Sequence, residues 1–201
     1  QVRLERKLLA PETGPIVAAI SEYVVRQLRE HYELPDERIR RIYNGVDADR
    51  CPESQRADQR QAIRREFGIA PSDVLVLLVA HNFRLKGVHR WMQALASLVE
   101  RGVGNVRSLV VGRGESPAWH RLAARLDIED RLIFVGPSER VGEFLHAADI
   151  LVHPTYYDPC SRVVLEGMVA SVPCITTRWD GASEIIVDGT NGYVLDEPTD
   201  I

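Results

Sequence analysis

The sequence predicts a doubly wound α/β domain, in which helices cover both faces of a parallel sheet. From residue 73 onward, short apolar segments alternate with segments of helical periodicity. The apolar segments show no alternation with polar residues, as is typical of strands that are buried on both faces. Strand–helix alternation also favours right-handed crossovers between parallel strands. The fold class therefore follows from the order and the polarity of the segments.

The predicted elements of this domain succeed one another regularly. Strands are expected at 73–80 (DVLVLLVA), 106–112 (VRSLVVG), 131–136 (RLIFVG), 150–154 (ILVHP) and 172–177 (VPCITT), because each is continuously apolar. A last strand, GYVL at 192–195, follows the turn sequence DGTNG. Helices are expected between them, at 87–102, 116–128, 139–149 and 161–171.

The first part of the chain has a different pattern. PIVAAISEYVVRQLREHY predicts a strand and then a helix capped by Ser21, and RIRRIYNGV predicts a strand that ends in an Asn-Gly turn. Two strands cannot bury a sheet alone. We therefore expect residues 1–46 to be the tail of a preceding α/β domain, 47–60 to be a polar linker and 61–201 to be the second domain, so that the chain is a fragment.

Composition excludes several classes of protein. The chain is 45% apolar and carries a net charge of −4 without a block of like charges, which argues against a nucleic-acid binder. Its three cysteines lack metal-ligand spacing, which indicates a reducing, cytoplasmic setting rather than a disulfide framework or a zinc site. No apolar run approaches the ~20 residues that span a bilayer. The P-loop and zincin motifs are missing as well.

Candidate site residues follow the predicted strands, because ligands of open α/β sheets bind beyond the carboxyl ends of the strands. Arg84 and Lys86 precede a helix that starts near Gly87, and two cations at a helix N-terminus can form an anion site. Solvated surface cations are an equal alternative. Gly112 and Gly114 would let the backbone approach a ligand closely, although they also fit a plain tight turn.

Two further loops at the same predicted edge of the sheet contain candidate site residues. Gly136, in VGPSER, would help to wall one side of a planar base. In YYDPCSRVVLEGMVASVPCITT, a helix starting near Ser161 would direct the backbone N–H groups of its first residues towards phosphate oxygens. Those first residues are Arg162, Val163 and Val164. Cys160 precedes them, where a helix start could lower its pKa, although an inert packing role is the simpler interpretation.

Asp158 and Glu166 flank this helix start and would face one crevice, where carboxylates can hold the vicinal hydroxyls of a ribose or a sugar. The alternative is a helix-capping Asp158 and a solvated Glu166, which their spacing alone does not exclude. Among the histidines, His81 and His153 lie near strand ends and are candidate cleft residues. The Asp-x-Asp sequence at 47–49 falls in the predicted linker and is not expected to bind a metal.

Four segments, taken together and in order, resemble the C-terminal half of the GT-B glycosyltransferases, and specifically the retaining family 4 type that includes lipopolysaccharide-core glucosyltransferases. They are AISEYVVRQLREHYELPDERIRRIYNGVD, FRLKGVHRWMQALASL, DPCSRVVLEGMVASVPCI and DGASEIIVDGTNGYV. The resemblance runs nearly from end to end. It implies a Rossmann-like donor-binding domain that follows the end of an acceptor-side domain.

The resemblance implies a role for each candidate. Arg84 and Lys86 would neutralise the diphosphate of a nucleotide-sugar donor, together with the amides at the Ser161 helix start. Glu166 would hold the nucleotide ribose, and Asp158 would hold hydroxyls of the transferred sugar. No catalytic metal is implied. The expected donor is a UDP-sugar such as UDP-glucose, and the expected acceptor is a cell-envelope saccharide or glycolipid.

This sequence departs from the family pattern at three positions. Asp158 stands where Glu is usual, Ser161 replaces Gly, and Arg162 replaces an apolar residue. A nucleotide-sugar binding or regulatory module without transfer is therefore one alternative, and a nucleotide-sugar epimerase on the same fold is another. Because most of the acceptor-side domain is absent, the fragment is expected to bind its donor without efficient transfer. Peripheral membrane contact through that domain stays open.

Overall fold

The structure is a computed structural model that describes residues 5, 8, 9 and 14–201. Its strands are β1 (Val17–Ala19), β2 (Ile39–Arg41), β3 (Val74–Ala80), β4 (Val106–Gly112), β5 (Leu132–Gly136), β6 (Ile150–His153), β7 (Cys174–Thr177) and β8 (Gly192–Leu195). Its α-helices are α1 (Glu22–Tyr32), α2 (Arg56–Glu66), α3 (Val88–Glu100), α4 (Pro117–Arg125), α5 (Val141–Ala147) and α6 (Arg162–Val169).

The main sheet has six parallel strands in the order β5-β4-β3-β6-β7-β8. The chain moves outward from β3 to β5, crosses back to β6 and then moves outward in the other direction. This is the predicted doubly wound topology, and the predicted fold class is confirmed. The switch of direction lies between β3 and β6, where open α/β sheets have their ligand crevice.

Both faces of the sheet are covered by apolar clusters. Leu75 and Leu77 of β3 belong to the cluster beneath α2, α5 and α6, whereas Val76 and Leu78 belong to the cluster beneath α3 and α4. Because alternate side chains of a strand point to opposite faces, a strand buried on both faces must be apolar throughout. That requirement explains why the strands of this sheet were readable from the sequence.

Helix α2 was not predicted, and it begins inside the range expected to be a linker. Its sequence, RADQRQAIRRE, offers little apolar periodicity, and Ile63 is its fully buried apolar residue. Polar contacts hold it instead: Arg60 Nη2 lies 2.6 Å from Asp149 Oδ1, and Arg64 Nη2 lies 2.5 Å from Asp149 Oδ2. Short 3-10 turns at Ala48–Arg50 and Glu53–Gln55 precede the helix.

The N-terminal segment forms a small unit with its own apolar cluster. Strands β1 and β2 pair in parallel, and the cluster contains Ala19, Val25, Leu28, Leu34 and Ile39. The predicted cap of α1 is confirmed, since Ser21 Oγ accepts a hydrogen bond from Val24 N at 3.1 Å. Residues 1–4, 6–7 and 10–13 of the predicted domain tail lie outside the described residues. The domain division itself stays a prediction.

Among the helices of the described residues, none combines the length and the apolar character that crossing a membrane requires.

Candidate functional site at the carboxyl edge of the sheet

Lys86 and Asp158 meet at the carboxyl edge, although they are 72 residues apart in the chain. Lys86 Nζ lies 2.6 Å from Asp158 Oδ2 and donates a second hydrogen bond to the Tyr157 carbonyl at 3.1 Å. Both side chains are largely buried, with exposed fractions of 17% and 15%. The loop after β3 and the loop after β6 therefore form one polar centre.

Gly87 makes this approach of the two loops possible. It precedes α3 in the left-handed region, with φ of 70°, and a Cβ at this position would lie 1.9 Å from the Pro154 carbonyl oxygen. Any other residue would push the two loops apart or strain the backbone. The local conformation at Gly87 thus determines the contact between Lys86 and Asp158.

Asp158 is fixed by three groups in addition to its backbone. Besides Lys86, His153 Nε2 lies 3.3 Å from Oδ2, and Cys160 N donates to Oδ1 at 3.2 Å. Burial acts to raise the pKa of Asp158, but the hydrogen bonds with His153 and Lys86 outweigh it, so the pKa lies below its ordinary value. Asp158 is therefore an oriented anion at neutral pH, and it is not the simple helix cap of the alternative interpretation.

Of the two candidate cleft histidines, only His153 lies beneath this centre. Its side chain is 2% exposed, and Nδ1 has no hydrogen-bond partner among the described residues. His81 is exposed. The sequence placed both near strand ends, but it could not tell which of them turned inward.

Helix α6 begins where it was predicted, with Ser161 as its N-cap. The N–H groups of Arg162, Val163 and Val164 lie in the first turn, where an α-helix supplies no backbone acceptor. Val164 is buried and Val163 is half-buried, so packing of these side chains holds the helix end in place. Such a helix end can receive phosphate oxygens.

Asp180 supports the start of α6, and the sequence reading missed it. Its carboxylate is fully buried and accepts hydrogen bonds from Ser161 N, Ala182 N and Thr176 Oγ1, each at 2.9 Å. Burial raises the pKa of Asp180. In the sequence, Asp180 and Gly181 give only a turn signal, and neither the burial nor the contact with Ser161 could be deduced from it.

Glu166 lies one turn into α6, and its nearest charged neighbour is Arg162. Its Oε1 is 3.9 Å from Arg162 Nη2, and its side chain is 16% exposed. Burial raises the pKa of Glu166, while the charges of Arg162 and Arg50 act in the opposite direction. Glu166 is largely enclosed, so it is not the solvated carboxylate of the alternative interpretation.

Gly112, the last residue of β4, and Gly114, which follows it, lie close to β3 and to the loop after β3. A Cβ at Gly112, whose φ is 130°, would lie 1.8 Å from the Ala80 carbonyl oxygen, and one at Gly114 would lie 2.8 Å from the Phe83 ring. These two glycines therefore make room for neighbouring protein atoms, and their approach to a ligand stays a prediction. At Gly136 a Cβ would meet no described atom within 4 Å, so that loop borders open space.

Arg84 faces different neighbours from Lys86. It lines a cavity of about 360 Å³ together with His89, Ala118, Trp119, Leu122 and Arg125, and an adjoining one of about 500 Å³ with Asn82, Leu85, His89 and Tyr156. Its side chain is exposed, whereas Lys86 is enclosed by the Asp158 loop. The two cations therefore occupy an open part and an enclosed part of the same edge.

Cys160 is buried within the Asp158 loop. Burial, with a smaller effect of Asp180, raises the pKa of its thiol to about 11. A neutral, enclosed thiol agrees with the packing interpretation and not with a reactive one.

Comparison with known families gives two matches that together cover most of the chain. Residues 59–201 match the family model described as glycosyl transferases group 1, and residues 3–50 match the model described as glycosyltransferase family 4. The two matches meet near the range that was predicted to be a linker.

Individual relatives agree with these matches. Lipopolysaccharide glucosyltransferase WaaG of Escherichia coli K12 is 32% identical over 89% of this chain and 48% of its own length. N-acetyl-alpha-D-glucosaminyl L-malate synthase of Bacillus anthracis is 30% identical over 92% of this chain and 47% of its own. The chain thus spans about half the length of the curated relatives that it matches.

Solved structures give the same fold. A crystal structure of WaaG, a glycosyltransferase involved in lipopolysaccharide biosynthesis, superimposes with a TM-score of 0.87 at 29% identity, covering 96% of this chain and 52% of the other. HepE from Anabaena, crystallised with UDP-glucose, superimposes with a TM-score of 0.82 at 23% identity, covering 99% of this chain and 55% of the other.

Proposed function

The chain belongs to the group 1 glycosyl transferases, and we propose that it is the donor-binding part of a retaining, metal-independent glycosyltransferase that uses a UDP-hexose. The observation that carries the proposal is the Lys86–Asp158 pair beside the N-terminus of α6. One edge of the sheet thereby offers a cation and a helix N-terminus for a diphosphate, and carboxylates for hydroxyl groups.

The leaving group sets the main chemical requirement. When the bond between the sugar and the diphosphate breaks, negative charge develops on the diphosphate, and preorganised donors lower the energy of that state. Lys86 and the first amides of α6 would supply this stabilisation, and Arg84 would add charge from the open part of the edge. With these groups present, the proposed transfer needs no metal ion.

The two carboxylates would orient the donor. Glu166, in the second turn of α6, would accept hydrogen bonds from the ribose hydroxyls, and Asp158 would accept them from the transferred sugar. Asp158 is suited to this task because it is ionised and held by Lys86, His153 and its own loop. Its side chain is one methylene shorter than the usual Glu, so a bridging water molecule would complete the contact.

The choice of donor is supported by relatives only. WaaG is named a glucosyltransferase, and HepE was crystallised with UDP-glucose, which favours UDP-glucose or a similar UDP-hexose for this chain. The acceptor would be a cell-envelope saccharide, since WaaG is described as acting in lipopolysaccharide biosynthesis. We also propose a cytoplasmic location, because the three cysteines, all in the described part of the chain, are free and buried.

Calorimetric titration of the chain with UDP, ADP and GDP tests the donor site. We expect selective binding of UDP that is weakened strongly by Lys86→Ala and by Glu166→Ala. Arg101→Ala and Glu100→Gln are matched controls, because these exposed residues lie at the far end of α3, towards the amino edge of the sheet. Equal affinity for the three nucleotides, or unaltered UDP binding in Lys86→Ala, would contradict the proposed site.

Product analysis with the full-length protein separates transfer from its alternatives. A saccharide product that keeps the anomeric configuration of the donor supports the proposal. UDP binding without sugar release or transfer would identify a binding module instead. Conversion of one UDP-sugar into another without an acceptor would identify an epimerase.

A further inference from the structure

The loop that carries Asp158 is held from outside the donor-binding domain, by residues of the N-terminal segment. Ser21 Oγ donates to the Pro159 carbonyl at 2.5 Å, and Asn44 Nδ2 donates to the Cys160 carbonyl at 3.3 Å. The rings of Tyr23 and Tyr157 pack with their centroids 5.8 Å apart. The residues on both sides of Asp158 therefore contact a segment that precedes them by more than 110 positions.

Glu184 fixes the helix that presents two of these groups. Its Oε2 accepts from Glu22 N at 2.9 Å and its Oε1 from Tyr23 N at 2.6 Å, so one carboxylate binds two first-turn amides of α1. Tyr43 donates a further hydrogen bond from its hydroxyl to Oε2 at 2.9 Å. A carboxylate is favoured at a helix N-terminus, where the free amides and the helix dipole act together.

Gly181 packs closely against this junction, without room for a side chain. A Cβ at Gly181 would lie 2.0 Å from the Pro159 carbonyl oxygen and 2.4 Å from Ser21 Oγ. On the opposite side, Asp158 N donates to the Trp179 carbonyl, and Gly181 N donates to the Asp158 carbonyl, each at 2.9 Å. The Asp158 loop is thus enclosed between the 179–181 segment and the start of α1.

We infer that Glu184 is a positioning residue for sugar transfer, and this inference rests on the proposed function. It anchors the N-terminus of α1 to the second domain, so that Ser21 and Tyr23 hold the Asp158 loop in the geometry that transfer needs. Glu184 itself contacts amides of α1 and the Tyr43 hydroxyl, and its effect on the donor is exerted through α1 and the loop.

The test compares transfer and binding in the full-length protein, in which the first domain is complete. We expect Glu184→Ala to lower kcat by about tenfold or more, because small displacements of a positioned group cost large factors in rate. The Kd for UDP should stay close to that of the unaltered protein, since Lys86 and α6 are untouched, and the melting temperature should fall only slightly, because Glu184 is exposed. Glu184→Gln, which keeps one carbonyl acceptor, should give an intermediate kcat.

Tyr43→Phe is the matched control, because it removes one bond to the same carboxylate and leaves both amide contacts of α1 intact. We expect its kcat to be close to that of the unaltered protein. An unchanged kcat in Glu184→Ala would overturn the inference while leaving the proposed function standing. Parallel losses of kcat, UDP affinity and melting temperature in a folded Glu184→Ala would overturn it too, because the role would then be structural.

If Glu184→Ala does not fold, Tyr23→Leu decides the question, since it keeps the backbone amide that Glu184 binds and removes the ring contact with Tyr157. A lower kcat with unaltered UDP affinity supports the anchor, and an unchanged kcat overturns it. If the unaltered protein binds UDP but transfers no sugar, the proposed function fails and this inference fails with it.

Discussion

The two halves of the carboxyl edge are built differently. On the side of β6, β7 and α6, two buried carboxylates are held by several groups each: Asp158 binds Lys86 and His153, and Asp180 binds Ser161 and Thr176. On the side of β4, β5 and α4, a cavity lies between Arg84 and α4, and Gly136 borders open space. One half is preorganised and the other is open.

This difference corresponds to different tasks. Charge that develops during a reaction is best stabilised by groups whose orientation has been fixed beforehand. A nucleotide base does not change charge during transfer, so the open half can receive it without the same degree of fixation. The enclosed half should therefore be sensitive to single substitutions in both stability and activity, whereas the open half should tolerate them.

The largest expected effect belongs to Asp180, in the enclosed half. Asp180→Ala leaves the N–H groups of Ser161 and Ala182 without their acceptor, while the Thr176 hydroxyl keeps the His153 carbonyl. Because buried donors that lose a partner keep their full desolvation penalty, we expect the free energy of unfolding to fall by about 2–5 kcal/mol. Urea denaturation followed by circular dichroism measures the change.

Asp196→Ala is the control for this substitution, since Asp196 is exposed. We expect a change within about 0.5 kcal/mol there. If the two variants were equally stable, the supporting role of Asp180 at α6 would have to be abandoned.

The next largest effect compares the two cations. Lys86→Ala should weaken UDP binding by about 10–100-fold, because a charge-assisted hydrogen bond in an enclosed site is worth about 1.5–3 kcal/mol. Arg84→Ala should weaken it by less than about tenfold, because the charge of an exposed side chain is screened by solvent and salt. Calorimetry at low and at high salt distinguishes them, since only the contribution of Arg84 should disappear in high salt.

An Arg84→Ala variant as weak as Lys86→Ala would mean that Arg84 turns from its cavity into the donor site when the donor binds. The open half would then be organised by the ligand, and the contrast between the halves would hold for the unbound protein only.

The sequence could predict the enclosed half in part, and the reason is physical. Lys86, Ser161 and Glu166 were readable because a buried parallel sheet requires continuous apolar strands, and those strands place the residues that follow them at one edge. Helix α2 was missed because Arg60 and Arg64 hold it through Asp149 and not through an apolar stripe. Periodicity does not report contacts of that kind.

Asp180 and Glu184 were missed for a related reason. Each acts on backbone amides of another element, 19 residues away for Ser161 and 162 residues away for Glu22. An acidic residue in a turn carries no sign of which amide it will bind. Gly112 and Gly114 show another limit of a sequence pattern, because it could not tell that the space beside them is filled by Ala80 and Phe83.

The pH dependence of stability should differ between the two aspartates of the enclosed half. The pKa of Asp158 is lowered in the folded state, so its stabilising effect is present above the ordinary pKa of about 3.9 and is lost as the pH falls through the folded value. The pKa of Asp180 is raised by burial, so its ionisation costs stability as the pH rises from about 3.9 through the folded value.

Unfolding free energies measured by urea denaturation between pH 3 and pH 7 test this contrast. The difference between the unaltered protein and Asp158→Asn should shrink on acidification. As the pH falls, the free energy of unfolding of the unaltered protein should instead rise relative to that of Asp180→Asn. If the two differences in unfolding free energy changed with pH in the same direction, the pKa values of Asp158 and Asp180 would not be shifted in opposite directions.

The smallest expected effect belongs to Arg162, an exposed residue at the edge of the enclosed half. Its side chain is 61% exposed, and its guanidinium is 3.9 Å from the Glu166 carboxylate, one turn along α6. A solvated pair of this type contributes only about 0.3–0.5 kcal/mol, so Arg162→Ala should hardly change the free energy of unfolding. Because its backbone N–H remains in place, UDP affinity should fall by no more than about threefold. A larger loss of UDP affinity without a loss of stability would place the guanidinium on the diphosphate, and the departure from the family pattern at this position would then be part of donor binding.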